Sequence, residues 1–192
     1  MNAMNLANIL TILRIVLVVP IILLLSFPSA ITCWLAELVF ICAALTDYFD
    51  GHIARKSNLV SNFGKFMDPL ADKILICSVF IMLVELSRIP AWIVIVIMCR
   101  EFAVTGLRGI AMNDGVVIAA DKFGKAKTVM QICALIPLII DAPLFGVIPL
   151  HEIGMLCLYI ALLLTVFSGC NYFIGYFKGV STRTDSSYGC RK

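Results

Sequence analysis

The chain has 192 residues, of which 61% are hydrophobic and only 14% are charged. A mean hydropathy of +1.03 excludes a soluble domain of this length, because such a domain needs a polar surface around its core. The net charge of +3 does not indicate nucleic-acid binding. Two histidines, and eight cysteines without any CxxC spacing, do not indicate a zinc site. The composition predicts an all-α, polytopic membrane protein.

Six apolar segments are candidates for membrane-spanning helices, since about 20 apolar residues cross the hydrocarbon core. They are residues 8–26, 30–50, 69–86, 90–111, 126–142 and 152–177. We expect the first to be a retained helix, because no convincing small-residue cleavage site follows it and further spans come at once. We therefore predict one transmembrane catalytic domain over residues 1–177 and a disordered cytoplasmic tail over residues 178–192.

The basic residues predict the orientation of these helices. Of the 15 lysines and arginines, all except Arg88 fall on the side that holds both termini. Positive charge concentrates on the cytoplasmic side of membrane proteins. We therefore expect a multi-pass protein of the inner (plasma) membrane with both termini in the cytoplasm.

Four aspartates lie where the second predicted span ends and the third begins: Asp47, Asp50, Asp68 and Asp72. The spacing within each pair, three or four residues, places both members on one face of a helix. Carboxylates at a membrane boundary are costly unless something positive holds them. Carboxylate oxygens are ligands that Mg²⁺ and Mn²⁺ prefer, and paired metal ions commonly activate phosphoryl chemistry. The pattern therefore predicts a cytoplasmic site for one or two divalent ions.

A purely structural explanation is available for some of these residues. Asp68 precedes Pro69 and could cap a helix, and Asp72 in the first turn would suit the helix dipole. That explanation is poorer for Asp47 and Asp50, which approach the C-terminal end of the second span, where the dipole disfavours anions.

The neighbouring residues leave two interpretations open. Gly51 and Gly64 could be turn residues, or could let a phosphate approach the backbone closely. Arg55 could be a topological charge, or could hold a diphosphate oxygen.

These residues together form the pattern D-x2-D-G-x2-A-R-x8-G-x3-D-x3-D over residues 47–72. The pattern resembles the signature of the CDP-alcohol phosphatidyltransferases, with every position filled. Residues 8–14, 100–108 and 124–128 are similar to the branch of that family that uses sn-glycerol 3-phosphate. The resemblance implies six transmembrane helices, a homodimer and a site open to both the cytoplasm and the lipid bilayer.

The resemblance also implies residue roles and a reaction. Two metal ions, Mg²⁺ or Mn²⁺, would be bound by Asp47, Asp50, Asp68 and Asp72, the last of which would be the general base. The CDP group would be bound by Gly51, Ala54, Arg55 and Gly64. The phosphatidyl group of CDP-diacylglycerol would pass to sn-glycerol 3-phosphate, giving phosphatidylglycerophosphate and CMP.

The phosphate of such an acceptor requires a basic pocket, for which the sequence offers Arg100, Arg108, Lys125 and Lys127. Arg100 with Glu101 interrupts an apolar helix, which topology alone explains poorly. Arg108 suits bidentate phosphate contact. Lys125 and Lys127 are explained equally well as cytoplasmic-side charges.

Two alternatives stay open. The acceptor could instead be serine, inositol phosphate or phosphatidylglycerol, although the extra basic residues favour a phosphorylated acceptor. Intramembrane acids could also mark an ion or proton transporter. A transporter would place them near the midplane between inverted repeats. Here the four aspartates lie at one interface, Glu37 lies deeper within a predicted span than they do, and no repeat is visible.

Overall fold

The computed structural model describes the backbone of residues 6–57, 62–113, 122–142 and 149–189, and the side chains of residues 11–46, 70–109, 126–142 and 149–175. Over these residues the fold is all-α without strands, as predicted. The six helices are α1 (Leu6–Ser26), α2 (Ala30–Ser57), α3 (Asn62–Glu85), α4 (Ala91–Asn113), α5 (Lys122–Ile140) and α6 (Leu150–Gly189).

The helices extend beyond the predicted spans around the aspartate pattern. α2 continues to Ser57 and α3 already begins at Asn62. The predicted bounds followed apolarity, whereas helical hydrogen bonding continues through polar turns. Gly51 and Gly64 therefore lie within helices, and their interpretation as turn residues is wrong. Asp68 is likewise not a helix cap, because α3 begins more than a turn before it.

The chain divides into two compact units. The first comprises Met1–Ile89 and Leu135–Met155, and the second comprises Pro90–Ala134 and Leu156–Lys192. α6 continues as far as Gly189 and so enters the segment predicted as a tail. The division into a catalytic domain and a tail stays a prediction.

One helical segment, Leu150–Gly175, is long and apolar enough to cross a membrane, with a mean hydropathy of 2.2. Three shorter apolar stretches are Thr11–Ser26, Ala30–Thr46 and Ala126–Ile140. These statements concern length and composition within the described part of the chain.

In the first unit, α1 packs against both α2 and α3. Each helix contributes a stripe of buried residues at helical spacing, such as Ile21 and Leu25 on α1 and Leu75 and Val79 on α3. Small residues, Ala36, Ala43 and Ala71, are fully buried on α2 and α3. Small side chains let helix backbones approach closely, which is how helices commonly associate in membranes.

The helix ends of this unit are closed by local hydrogen bonds. At the start of α2, the Ser29 amide donates to Thr32 Oγ1 (2.8 Å) and the Thr32 amide donates to Ser29 Oγ (3.2 Å), a reciprocal cap. At the end of α3, the Arg88 amide donates to the Leu83 carbonyl and the Ser87 amide to the Val84 carbonyl, both at 2.9 Å. Ser87 adopts a φ of 56°, so the chain leaves α3 by a Schellman turn.

Arg88 then closes the end of α5. Its guanidinium donates to the carbonyls of Leu138 (3.1 Å) and Ile139, which the helix end leaves without partners of its own. It also forms an ion pair with Asp141 (Nε–Oδ2 3.1 Å), whose other oxygen lies 2.7 Å from His151 Nδ1. This Arg88 clamp, comprising Arg88, Asp141 and His151, joins the end of α5 to the first turn of α6.

Candidate functional site

The four aspartates of the sequence pattern lie on two consecutive helices. Asp47 and Asp50 are on α2, while Asp68 and Asp72 are on α3. Of these, only the side chain of Asp72 is among the described residues. The predicted CDP-binding residues Gly51, Ala54 and Arg55 on α2 and Gly64 on α3 are described as helical backbone only. The metal and CDP sites therefore stay predictions.

Asp72 forms an ion pair with Arg14 of α1. The side chain of Arg14 is 2% exposed, whereas that of Asp72 is 38% exposed. The pair exists because α1 packs along α3, which brings together residues that are far apart in the sequence. A buried cation needs a hydrogen-bonded partner, and this one holds one oxygen of a carboxylate that remains accessible. Asp72 is therefore oriented by the fold while its side chain stays partly exposed.

A second charged cluster lies in the second unit and joins three helices. Glu101 of α4 forms ion pairs with its neighbour Arg100 (3.3 Å) and with Lys127 of α5. Arg100 also donates to Ser168 Oγ of α6 at 2.6 Å. Two cations therefore share one carboxylate. We call these four residues the Arg100 cluster, and its guanidinium and ammonium groups are donors of the kind that bind phosphate oxygens.

The two cations of the Arg100 cluster are largely buried, which is unusual for charged side chains. Lys127 is only 5% exposed and the Arg100 side chain 11% exposed. Charges taken out of water at this depth are costly unless they are paired. The interpretation of Lys127 as a simple topological charge explains neither its burial nor its ion pair.

Gly169 of α6 makes the room that Arg100 occupies. A Cβ at this position would lie 3.0 Å from Cγ and 3.3 Å from Nε of Arg100. That separation is tighter than ordinary van der Waals contact, so the arginine passes along a helix surface left open by the missing side chain.

Arg108, two turns further along α4, is held differently. Its Nε donates to the hydroxyl of Tyr172 at 3.2 Å, and its guanidinium lies 5.5 Å from the centroid of that ring. Such stacking is typical of arginine over an aromatic face. Arg108 is exposed, so its remaining donors are available to a ligand. Lys125 lies on α5, and its side chain is outside the described residues.

The structure thus brings together Arg100 and Lys127 of the predicted acceptor pocket. It adds partners to which the sequence reasoning gave no role: Glu101, Ser168, Gly169 and Tyr172. The one available signal was the acid beside Arg100, because an adjacent pair of opposite charges in an apolar helix indicates burial with partners elsewhere.

The family of the chain is indicated by its similarity to known proteins. A family model of the CDP-alcohol phosphatidyltransferases matches residues 4–167. The chain belongs to this family. The resemblance read from residues 47–72 is therefore confirmed, and the match includes Asp72, Arg100, Glu101 and Lys127.

The chain is also similar to individual relatives whose names state an activity. The chain is 46% identical over 145 residues to a CDP-diacylglycerol–glycerol-3-phosphate 3-phosphatidyltransferase of Bacillus subtilis, covering 76% of this chain and 75% of that protein. It is 41% identical over 169 residues to the protein of the same name from Rickettsia typhi, covering 88% and 95%. It is also 41% identical over 175 residues to a probable phosphatidylglycerophosphate synthase of Mycobacterium tuberculosis, covering 88% and 79%.

The donor chemistry of the aspartate pattern fits a hard divalent cation. All four residues supply carboxylate oxygens, and one of them, Asp72, is accessible in the fold. Oxygen donors of this kind suit Mg²⁺ or Mn²⁺ and not a soft metal.

Proposed function

We propose that this protein transfers the phosphatidyl group of CDP-diacylglycerol to sn-glycerol 3-phosphate in phospholipid biosynthesis. The products are phosphatidylglycerophosphate and CMP. The observation that carries the proposal is the similarity to relatives that bear the name of this activity, at 41% and 46% identity over most of the chain. The Arg100 cluster also supports it, because it holds two cations, Arg100 and Lys127, of the kind that a phosphorylated acceptor would need.

In the proposed mechanism, Asp72 is the general base. It accepts the proton from the 1-hydroxyl of glycerol phosphate while that oxygen forms a bond to the β-phosphorus of CDP-diacylglycerol. The bond from this phosphorus to the oxygen of the CMP phosphate breaks, and CMP leaves with the electron pair. Arg14 orients the Asp72 carboxylate for this step. Proton transfer of this kind typically contributes about 10²–10⁴-fold to the rate.

The acceptor phosphate would be bound by Arg100 and Lys127, with Arg108 and Lys125 as further cations. Glu101 and Ser168 hold the first two in place. Binding the phosphate at fixed cations orients the acceptor hydroxyl, and orientation alone accounts for a large part of catalysis in reactions between two bound substrates.

The reaction would depend on Mg²⁺ or Mn²⁺, with two ions held by Asp47, Asp50, Asp68 and Asp72. Bound there, the ions would supply positive charge to the diphosphate and to the departing CMP. Gly51, Ala54, Arg55 and Gly64 would bind the CDP group.

The membrane arrangement is part of the proposal. Six spans would place both termini and the active site on the cytoplasmic side of the plasma membrane. CDP-diacylglycerol would then reach the site laterally with its acyl chains in lipid, and two copies would form a homodimer. The charge distribution supports this orientation, because Arg88 is the only cation assigned to the opposite side.

The test is CMP release by the purified full chain in detergent with CDP-diacylglycerol and Mg²⁺. Four acceptors are compared: sn-glycerol 3-phosphate, serine, inositol phosphate and phosphatidylglycerol. We expect release only with glycerol 3-phosphate, and its loss when EDTA is added and recovery when Mg²⁺ is returned. Release with another acceptor would contradict the assigned substrate while keeping the chemistry. Release that persists in EDTA would contradict the metal dependence.

A further inference from the structure

Two uncharged polar side chains in the second unit are buried without a hydrogen-bond partner. Gln131 of α5 is 3% exposed and Thr165 of α6 is fully buried. Within the described residues, nothing bonds to Gln131 Nε2 or to Thr165 Oγ1. A buried polar atom left unsatisfied is costly, so native proteins keep few of them and each one needs an explanation, such as a ligand that bonds to it.

Both side chains lie one helical turn from the Arg100 cluster. Gln131 follows Lys127 by four residues on α5, and Thr165 precedes Ser168 by three residues on α6. Residues with these spacings share a helix face, and they are about 6 Å apart along the axis for four residues and about 4.5 Å for three. Lys127 and Ser168 are themselves joined to α4, through Glu101 and Arg100 respectively. The charged cluster is therefore continued on two helices by neutral hydrogen-bonding groups.

In the proposed topology, Gln131 and Thr165 are displaced from the Arg100 cluster in the same direction, away from the cytoplasm. α5 runs away from the cytoplasm after Lys127, and α6 approaches the cytoplasm before Ser168. Gln131 and Thr165 would therefore lie one turn deeper than the cations. The chemistry changes with depth, from groups that bind an anion to an amide and a hydroxyl that bind a neutral polar group.

We propose that Gln131 and Thr165 bind the 2-hydroxyl of the acceptor, the hydroxyl that does not react, while Arg100 and Lys127 hold its phosphate. This inference rests on the proposed function and assigns it a specificity site. In glycerol phosphate the 2-hydroxyl is on the carbon next to the phosphate ester, at a separation on the scale of one helical turn. Inorganic phosphate, by contrast, would engage the cations and leave both neutral groups unsatisfied.

A site of this kind rejects analogues that lack the hydroxyl, because its polar groups would then stay buried and unpaired. The probe is 3-hydroxypropyl phosphate, which retains the phosphate and the attacking hydroxyl but has no 2-hydroxyl. With purified full chain and CDP-diacylglycerol, kcat/KM is measured for this acceptor and for sn-glycerol 3-phosphate. We expect the natural chain to prefer glycerol phosphate by roughly tenfold or more.

The variants Gln131→Met and Thr165→Val remove the hydrogen-bonding groups at nearly constant volume. Each should lower kcat/KM for glycerol phosphate roughly tenfold and change that for 3-hydroxypropyl phosphate about twofold at most, so that the preference disappears. Thr165→Ser keeps the hydroxyl and should therefore keep the preference for glycerol phosphate. The ratio of the two values in one preparation does not depend on the fraction of folded protein, so partial misfolding cannot imitate the result.

Thr105→Val is the matched control. This exposed threonine of α4 donates only to the carbonyl of Glu101 in its own helix, at 2.7 Å, and its variant should keep the preference. Equal losses on both acceptors in the Gln131 and Thr165 variants would overturn the inference, as would a natural chain that does not distinguish the acceptors. A natural chain inactive with glycerol phosphate but active with serine would overturn the proposed function instead.

Discussion

The two units use opposite charges for opposite purposes. In the first unit, a buried arginine, Arg14, holds an accessible acid, Asp72. In the second unit, a partly buried acid, Glu101, is shared by two cations, Arg100 and Lys127. The first arrangement keeps a carboxylate oriented for a proton or a metal ion. The second holds two cations in fixed positions, where they would bind an anion. In each unit, the partner of opposite sign fixes the position of the group that would act.

The largest expected effect is at Asp72. Asp72→Asn keeps the size of the side chain and its contact with Arg14 but removes the base, so turnover should fall by roughly 10²–10⁴-fold. CMP release measures turnover, and titration with CDP-diacylglycerol should show that nucleotide binding largely persists. Normal turnover in this variant would remove Asp72 as the base.

Asp141→Asn is its control, since it changes another acid of the first unit that is paired with an arginine. It weakens the Arg88 clamp, and should lower thermal stability while leaving turnover per folded molecule unchanged. Equal loss of turnover in the two variants would mean that the Asp72 effect is structural.

The next effect concerns a cation of the second unit. Lys127→Met removes a buried charge that would contact the acceptor phosphate, so KM for glycerol phosphate should rise roughly tenfold to hundredfold. KM for CDP-diacylglycerol in the same variant should stay within about twofold, because the donor would be bound at the aspartate pattern. Equal increases in both KM values would contradict the separation of roles between the two units.

A smaller effect is expected at Gly169. In Gly169→Ala the new methyl group meets the side chain of Arg100, which must shift. We expect KM for glycerol phosphate to rise roughly threefold to tenfold. Gly175→Ala on the same helix is the control, because a Cβ there meets nothing within 4 Å. If both alanine variants raise KM equally, the effect belongs to the helix backbone and not to Arg100.

The smallest effect concerns an acid without a cation. Glu37 of α2 is 3% exposed, and neither carboxyl oxygen has a partner among the described residues. Unlike Asp72 and Glu101 it orients nothing, so Glu37→Leu should raise the apparent Tm in detergent by roughly 2–4 °C. Activity should be unchanged. The exposed Glu85→Leu should leave Tm unaltered, and a fall in Tm for Glu37→Leu would show that its carboxyl is paired in the native protein.

The sequence predicted the helices and the aspartate pattern because both are local properties. Six apolar segments predicted six helices, and fixed spacings within residues 47–72 indicated the family. The helix ends were less predictable. Hydropathy marks where a segment stops being apolar, whereas α2 and α3 continue through Gly51 and Gly64 because backbone hydrogen bonding does not require apolar side chains.

The contacts between distant residues could not be predicted from the sequence. Arg14 and Asp72 meet only because α1 packs on α3, and Lys127 reaches Glu101 from a different helix. The sequence does not distinguish Gly169 from the other glycines, and its role becomes visible only from the Arg100 side chain that packs against it. The sequence supplied candidate cations for the acceptor pocket, but it could not distinguish a buried, paired lysine from a surface one.

The Arg88 clamp has a consequence for how the chain is made. In the proposed orientation, Arg88 is the one cation that must be carried across the membrane, and its partner Asp141 follows much later in the sequence. During synthesis the arginine therefore reaches the far side before its counter-charge exists. The hairpin that ends with α3 and Arg88 must tolerate an unpaired charge until the turn after α5 arrives and neutralises it. Biogenesis, more than catalysis, would then explain why an acid occupies position 141.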